Sequence, residues 1–471
     1  MTKVPKVENQ QRATRTSEPL NPEPLNLKSH MSTNHLYSSG WREHTQTSQK
    51  THPSRRPTPR APLVIFCSGV ILVGFLAFFL AIPWVTEQTG QAEIGSSSMR
   101  KARTTKSALE RPVVLDLADL DLNSAHLSDR MVLERGGEPL IVESSINPAL
   151  QDYVADLLQK SHTVKAAVVV LRPDDGRILA MAGYDAGGNG ERLCLEADFP
   201  AASLFKIVAA AAALEHAGFT PDRKVYFDGY KYSLYKRQLK QTRGRYTTEM
   251  SFKEAFGSSI NPVFGKLGIY DLGQEVMSDS AERFFFNRSI PFDFPVATSV
   301  VHVPDDDFGL AEIASGYNRK TVISPLHAAL LVSVVANDGV MMRPWLVKRV
   351  LREDGKVLYR GGPSKMTNSI SRETAENLKI LMRETVTHGT CRRSFQPLRD
   401  KKAFNDVELG AKTGTMNDQT GELKCDWLTA YAIPPNGEKG ICVAVMGIHG
   451  EKLGIRAGQL GRIIINYYFS S

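Results

Sequence analysis

The sequence predicts an α+β domain, an antiparallel sheet with flanking helices, preceded by one membrane-spanning helix. Three observations predict the domain. In "AAVVVLRPDDGRILAMAG" two apolar runs lie on either side of Asp175-Gly176, a pair that closes a tight hairpin. In "DWLTAYAIPPNGEKGICVAVMGI" the pattern returns around Asn436-Gly437. Between the two hairpins the apolar spacing is mostly helical, over 203–217, 325–336 and 372–386, with a last helix over 459–468. Hairpins at both ends with helices between them imply a sheet built from the two ends of one domain, with the helices packed against it. No internal repeat of solenoid length is present.

Taken in order, residues 1–60 are rich in Pro, Ser, Thr, Asn and Gln and poor in large apolar residues, so they read as a disordered cytoplasmic tail. Residues 61–85, "APLVIFCSGVILVGFLAFFLAIPWV", carry no charge and exceed the roughly 20 apolar residues that span a bilayer core. A buried core helix of that length would keep a polar face, and a cleavable signal would be shorter and nearer the start. Arg42, Lys50, Arg55, Arg56 and Arg60 precede the stretch, and the nearest ionisable residues after it are Glu87 and Glu93. The basic flank stays in the cytoplasm, which predicts a single-pass protein of the cytoplasmic membrane with the rest of the chain exported. Arg100, Lys101, Arg103 and Lys106 weaken that contrast without reversing it. Residues 86–138 read as an extracytoplasmic linker with one short ordered piece near 113–122, and 139–471 as the folded domain.

The formal charge of +8 raises nucleic acid as a partner, but no arginine-rich helix or aromatic-basic module stands out. Ten basic against four acidic residues in 1–60 account for most of the excess, as a topology signal and a surface for anionic lipid.

The chemistry concentrates in "FPAASLFKIVAAAAALEHAGFTP". From Phe199 to Leu214 the only ionisable side chain is Lys206, on a helix that is apolar all round and therefore buried. Burial pushes a lysine towards neutrality, and Ser203, three residues earlier, shares its helical face. A neutral lysine beside a serine hydroxyl can take its proton and create a nucleophile. The bland reading is that Lys206 snorkels to solvent. Ser-x-x-Lys arises by composition about once or twice in such a chain, and Ser98-Met99-Arg100-Lys101, in the polar linker, is such a bystander.

A second signal is "AKTGT", 411–415, which holds the only Lys-Thr-Gly of the chain. It precedes the strand beginning near Trp427 and is expected on a strand at the sheet edge. Lys412 offers positive charge, Thr413 and Thr415 offer hydroxyls, and Gly414 allows close approach to the backbone. The bland reading is an exposed strand with a glycine kink.

Ser203-x-x-Lys206, Ser259-x-Asn261 and Lys412-Thr413-Gly414, in that order, resemble the three active-site motifs of the penicillin-binding protein transpeptidase domain, kin to the serine β-lactamases. The likeness covers about 140–471, and "INPALQDYVADLLQK", "GLAEIASGYNRKTVISPLHAALLVSVVANDGVMMRPWLV" and "DWLTAYAIP" resemble the connecting segments. The pentapeptide "SSINP" occurs at 144–148 and 258–262, and only the second copy lies between the other two motifs. For the first, the resemblance implies a helix cap. Ser32-Thr33-Asn34 falls on the wrong side of the membrane.

The resemblance implies a peptidoglycan stem peptide ending in D-Ala-D-Ala as substrate, and β-lactams as ligands that acylate Ser203. It implies Ser203 as nucleophile, Lys206 as general base, Ser259 as proton relay and Asn261 as the group orienting Lys206 and the substrate amide. Lys412, Thr413 and Thr415 would hold the terminal carboxylate, and the backbone N–H groups of Ser203 and Thr415 would form the oxyanion hole. It calls for no metal and no cofactor, and other cell-wall synthesis proteins are candidate partners. The linker is too short for a glycosyltransferase domain or a large pedestal. Ala201-Ala202 stand where the family often has Pro-Gly. A D,D-carboxypeptidase, a β-lactamase, a β-lactam sensor and an idle structural partner of the wall machinery are the alternatives. Cys194, Cys391, Cys425 and Cys442 would face an oxidising compartment, and Cys442, in an apolar run, reads as a buried thiol. Cys391 and Cys425 flank the Lys-Thr-Gly strand, which raises a disulfide between them as a hypothesis.

Overall fold

The computed structural model describes residues 127–188, 190–417, 422–438 and 440–471. The expected tail, membrane span and ordered piece near 113–122 lie outside the described residues. Among those described, no helix is long and apolar enough to cross a membrane.

The described chain opens with β1 (Arg130–Arg135) and β2 (Glu138–Ser144), joined through Gly136-Gly137, both at positive φ. β1 falls inside 86–138, the stretch read as linker. Its alternation buries Met131 and Leu133, a signal too short to stand out among the flanking charges. α1 (Pro148–Gln159) starts at Asn147, whose side chain accepts from the Leu150 N–H, with Pro148 at the first helical position. The first "SSINP" is thus a helix cap, as expected. β3 (Lys165–Leu171) and β4 (Ile178–Asp185) form the hairpin closed at Gly176, φ +80°.

A two-residue strand, β5 (Phe199–Pro200), leads through a 3₁₀ turn, Ala202–Phe205, into α2 (Lys206–His216). There follow the paired β6 (Lys224–Phe227) and β7 (Thr248–Ser251), then α3 (Phe252–Gly257), α4 (Asn261–Leu267), α5 (Gly273–Arg283) and α6 (Asp307–Ser315). β8 (Val322–Ile323) pairs with β5 and leads into α7 (Pro325–Ala336), capped by Ser324. β9 (Val340–Met342) pairs with β12 (Lys365–Asn368), and between them β10 (Val347–Arg352) and β11 (Val357–Arg360) extend the first hairpin into an outer sheet, β1-β2-β10-β11. The chain closes with α8 (Arg372–Thr387), α9 (Arg392–Arg399), β13 (Glu408–Asn417), β14 (Lys424–Ile433), β15 (Ile441–His449) and α10 (Ala457–Ser470).

The central sheet has the order β13-β14-β15-β3-β4, antiparallel throughout, so its strands come from both ends of the domain as the two hairpins predict. It is a wall between two cores. On β3, Ala167, Val169 and Leu171 face one core while Ala166, Val168 and Val170 face the other, and β15 alternates likewise. Apolar residues on both faces explain why these strands read as nearly continuous apolar runs. One core contains α2 and α7, both buried on nearly every side. The other is covered by α1, α9 and α10. β13, with the Lys-Thr-Gly motif, is the edge strand, as expected. Trp427 on β14 donates from Nε1 to the Pro200 carbonyl (2.9 Å), and the Ala201 N–H donates to the Thr321 carbonyl (2.8 Å). These bonds tie the entry to α2 against the sheet.

Candidate active site

The site begins at the first turn of α2. Lys206 is fully buried, so the snorkelling reading fails. Its Nζ lies 2.9 Å from Ser203 Oγ, 2.8 Å from Asn261 Oδ1, and within hydrogen-bond reach of the Ser315 carbonyl. Burial, reinforced by the charge of Lys412, holds its pKa well below the usual lysine value. Among the described residues no carboxylate pairs with it, and an unpaired buried ammonium carries a desolvation penalty of several kcal/mol, which favours the neutral amine. A neutral amine has two N–H bonds and one lone pair. Asn261 Oδ1 and the Ser315 carbonyl can only accept, so they take the two N–H bonds and leave the lone pair for the Ser203 hydroxyl proton. With its N–H bonds so occupied, a neutral Lys206 can accept the Ser203 proton.

Asn261 is the first residue of α4 and cannot turn its amide round. Its Nδ2 donates to the Tyr232 carbonyl (2.9 Å) and its backbone N–H to the Lys231 carbonyl (2.8 Å). Oδ1 must therefore face Lys206. Two residues earlier Ser259 sits at φ +57°, in the left-handed region, and only 5% of its surface is exposed. Its Oγ accepts from Lys412 Nζ at 3.0 Å.

Lys412 is fully buried on β13, which removes the reading of that strand as merely an exposed edge with a kink. Besides Ser259 it donates to the Thr413 carbonyl (2.9 Å), and burial brings its pKa down to about 7. Thr413 Oγ1 shares a hydrogen bond with Thr390 Oγ1 (2.7 Å), and Thr415 Oγ1 donates to Asp426 Oδ1 (3.2 Å). Gly414 has a steric purpose. A methyl group there would stand 3.3 Å from the Ala201 carbonyl oxygen and Ala202 Cβ and 3.4 Å from the Ser203 nitrogen, close enough to make the turn give by a few tenths of an ångström. The missing side chain lets the strand backbone close on the nucleophile turn.

Ala202 is itself strained, at φ +48°. It occupies the Ala-Ala departure from the family pattern, and glycine enters this backbone region freely whereas alanine does not. Gly316, the left-handed residue ending α6, packs on the Ala202 carbonyl so closely that any Cβ would overlap it. Strained backbone thus lies beside one serine of the site, at Ala202, and at the other, Ser259, itself.

Ser203, Ser259, Asn261, Thr413 and Thr415 line one open cavity of about 760 Å³, together with Tyr232, Thr390, Arg393 and Arg456. All eight residues singled out in the sequence are brought together, Lys206 and Lys412 beneath the floor and Gly414 behind it. Sequence reasoning missed Ser315 and Tyr232, which act through backbone carbonyls and leave no side-chain signature. It also missed Asp426, which holds Thr415 while Arg456 grips it through two bonds of 2.8 and 2.7 Å. The proposed disulfide is corrected: Cys391 and Cys425 are buried thiols with no bond between them. Burial pushes the Cys391 thiol up to about 12, so it stays neutral near Lys412.

Residues 166–459 match the family model described as the penicillin binding protein transpeptidase domain. Among curated proteins, the chain is 27% identical over 414 residues to the peptidoglycan D,D-transpeptidase PbpA of Mycobacterium tuberculosis, covering 79% of this chain and 80% of that one. The PbpA of Mycolicibacterium smegmatis is 26% identical, with 69% and 70% covered. Among solved structures, the imipenem acyl-enzyme complex of penicillin-binding protein A from M. tuberculosis superposes with a TM-score of 0.57 at 25% identity, covering 69% of this chain and 78% of that one.

Proposed function

The chain belongs to the penicillin-binding protein transpeptidase family, and from that premise we propose that it is a penicillin-binding D,D-transpeptidase working through an acyl-enzyme on Ser203. The observation that carries the mechanism is the bonding of Lys206, whose lone pair is left for Ser203 by two acceptors that occupy its N–H bonds.

The substrate is a peptidoglycan stem peptide ending in D-Ala-D-Ala. Ser203 Oγ attacks the carbonyl carbon of the penultimate residue while its proton passes to Lys206 Nζ. The carbonyl oxygen becomes an oxyanion held by the backbone N–H groups of Ser203 and Thr415, each such donor contributing about 3 kcal/mol to the transition state. The close approach of β13 at Gly414 supports that pairing. As the C–N bond breaks, the leaving amine takes a proton through Ser259, which Lys412 backs with its own proton. D-Ala departs with its carboxylate released from Thr413, Thr415 and the Lys412 charge. An amine of a neighbouring strand then attacks the acyl-enzyme carbonyl and its proton returns through Ser259 to Lys412. As the ester C–O bond to Ser203 breaks, Lys206 gives its proton back to Ser203 Oγ, and the new amide leaves as the cross-link. β-Lactams enter at the first step and leave Ser203 acylated.

In this reading the apolar stretch 61–85 anchors the chain in the cytoplasmic membrane and the linker holds the catalytic domain on the outer side, where the substrate is. The test is time-resolved labelling of the full-length, detergent-solubilised chain with fluorescent penicillin, beside Ser203→Ala. Stable label on the wild type alone is the expected result. An unlabelled wild type overturns the reading, and label that is quickly shed points to a β-lactamase. Analysis of products from D-Ala-D-Ala peptides with an added amine then separates transfer from hydrolysis.

A further inference from the structure

Beside the cavity lies a surface the mechanism does not use. Residues 223–246 carry eight basic side chains and one acid, Asp228, interleaved with five tyrosines, a pattern the sequence reading passed over. Tyr230, Tyr232, Tyr235 and Tyr246 are 78%, 58%, 55% and 83% exposed. Such rings are normally withdrawn from water, and a cluster of exposed ones marks a contact surface.

The tyrosines stand on a rigid base. Gln238, 2% exposed, donates to the carbonyls of Asp228 and Tyr230 and accepts from the Tyr235 N–H and the Ser233 hydroxyl. Leu234 and Leu239 anchor the segment on Ala311 of α6. Cations border the rings: Arg237 lies 5.5 Å from the Tyr235 centroid and Arg245 5.8 Å from that of Tyr246. The facing acids are engaged, Asp228 by the Thr247 hydroxyl (2.6 Å) and Glu249 by Arg243 (3.6 Å). The surface is continuous with the active site, because Tyr232 lines the cavity and the Lys231 and Tyr232 carbonyls hold Asn261.

We propose that this tyrosine-studded basic surface binds a peptidoglycan strand, guiding it to the cavity. The proposal rests on the transpeptidase reading above. Pyranose rings offer flat C–H faces that stack on exposed tyrosines, and the carboxylates of stem peptides complement the lysines and arginines. A lipid bilayer would call for aliphatic and Trp or Phe side chains, and here the exposed large apolar residues are tyrosines alone.

The test is co-sedimentation of the full-length, detergent-solubilised chain with purified insoluble sacculi. Two variants are compared, the triple Arg237→Glu/Lys240→Glu/Arg245→Glu and the double Tyr235→Ala/Tyr246→Ala, none of them in the catalytic machinery. Each is expected to bind sacculi about tenfold more weakly at low salt, with penicillin labelling of Ser203 unchanged. Sacculi whose carboxylates have been amidated should lose the wild type as well, a result that does not depend on how any variant folds. Undiminished binding by both variants and to amidated sacculi overturns the proposal. So does variant-sensitive binding to phosphatidylglycerol–phosphatidylcholine vesicles with sacculus binding unaltered, which would make the patch a membrane contact. If the wild type binds sacculi through this surface but takes no penicillin, the chemistry of Ser203 fails and the surface stands.

Discussion

Two lysines, both buried and both close to a serine, do opposite work in the proposed reaction. Lys206 must be neutral to accept a proton and Lys412 must be charged to supply one. Their mutual repulsion helps to keep the two from being protonated together, and the proposed reaction places the one proton on Lys412. The sign of the pH dependence follows. The rate of acylation by penicillin should rise with pH as Lys206 loses its proton, well below the ordinary lysine range. It should then fall as the pH passes about 7, where Lys412 loses its own. Second-order labelling rates from pH 5 to 10 check this, and a rate that climbs steadily to pH 10 removes Lys412 as the proton source.

The nucleophile turn is held as a wedge between elements. Trp427 of β14 and Thr321 fix its entry, Gly414 of β13 closes on one side, and Gly316 at the end of α6 supports the Ala202 carbonyl from the other. Gly316→Ala would need a left-handed alanine at φ +64° and would push a methyl group into that carbonyl. Because the Ser315 carbonyl holding Lys206 is the preceding residue, the same push shifts the base. A displacement of about 1 Å at a reacting centre costs on the order of a hundredfold in rate. Penicillin acylation of Gly316→Ala is therefore expected to slow by about that factor while the protein still folds, as near-normal thermal unfolding would show. Unchanged acylation would mean that the turn keeps its geometry without the wedge.

At the scale of the molecule, the two ends of the domain are joined at the sheet, and α10 is fastened to it by one buried carboxylate. Asp426 on β14 accepts from Arg456 and from the Ala457 N–H at the start of α10. Burial alone would raise its pKa, but the hydrogen bonds from Arg456 outweigh it and hold the carboxyl well below the usual aspartate range. A lowered carboxyl stabilises the fold fully above the ordinary value of 3.8 and progressively less as the pH falls beneath it. Asp426→Asn should cost about 2 kcal/mol at pH 7, typical of losing charge-assisted hydrogen bonds with one partner partly in solvent. Urea unfolding at pH 7 and at pH 3 checks this. The advantage of the wild type over the variant should narrow at the lower pH, and an equal gap at both would assign the stability elsewhere.

The sequence by itself determined the parts whose signal is local. The Asp-Gly and Asn-Gly hairpins, the helix over 325–336, the edge position of Lys-Thr-Gly and the burial of Lys206 all follow from periodicity, turn chemistry and one charge in an apolar helix. The family resemblance likewise named the eight residues that meet. What only the tertiary structure decided depends on backbone and on distance. The carbonyls of Ser315 and Tyr232 aim the base, yet every residue has a carbonyl and no side chain marks these two. Thiols 34 positions apart carried no disulfide, because pairing requires Cβ geometry that spacing does not encode. The linker boundary moved because β1 is a strand only by virtue of the β2 beside it. A strand's partner, a base's acceptors and a platform's rigidity are relations between segments distant in the chain, and folding alone brings them together.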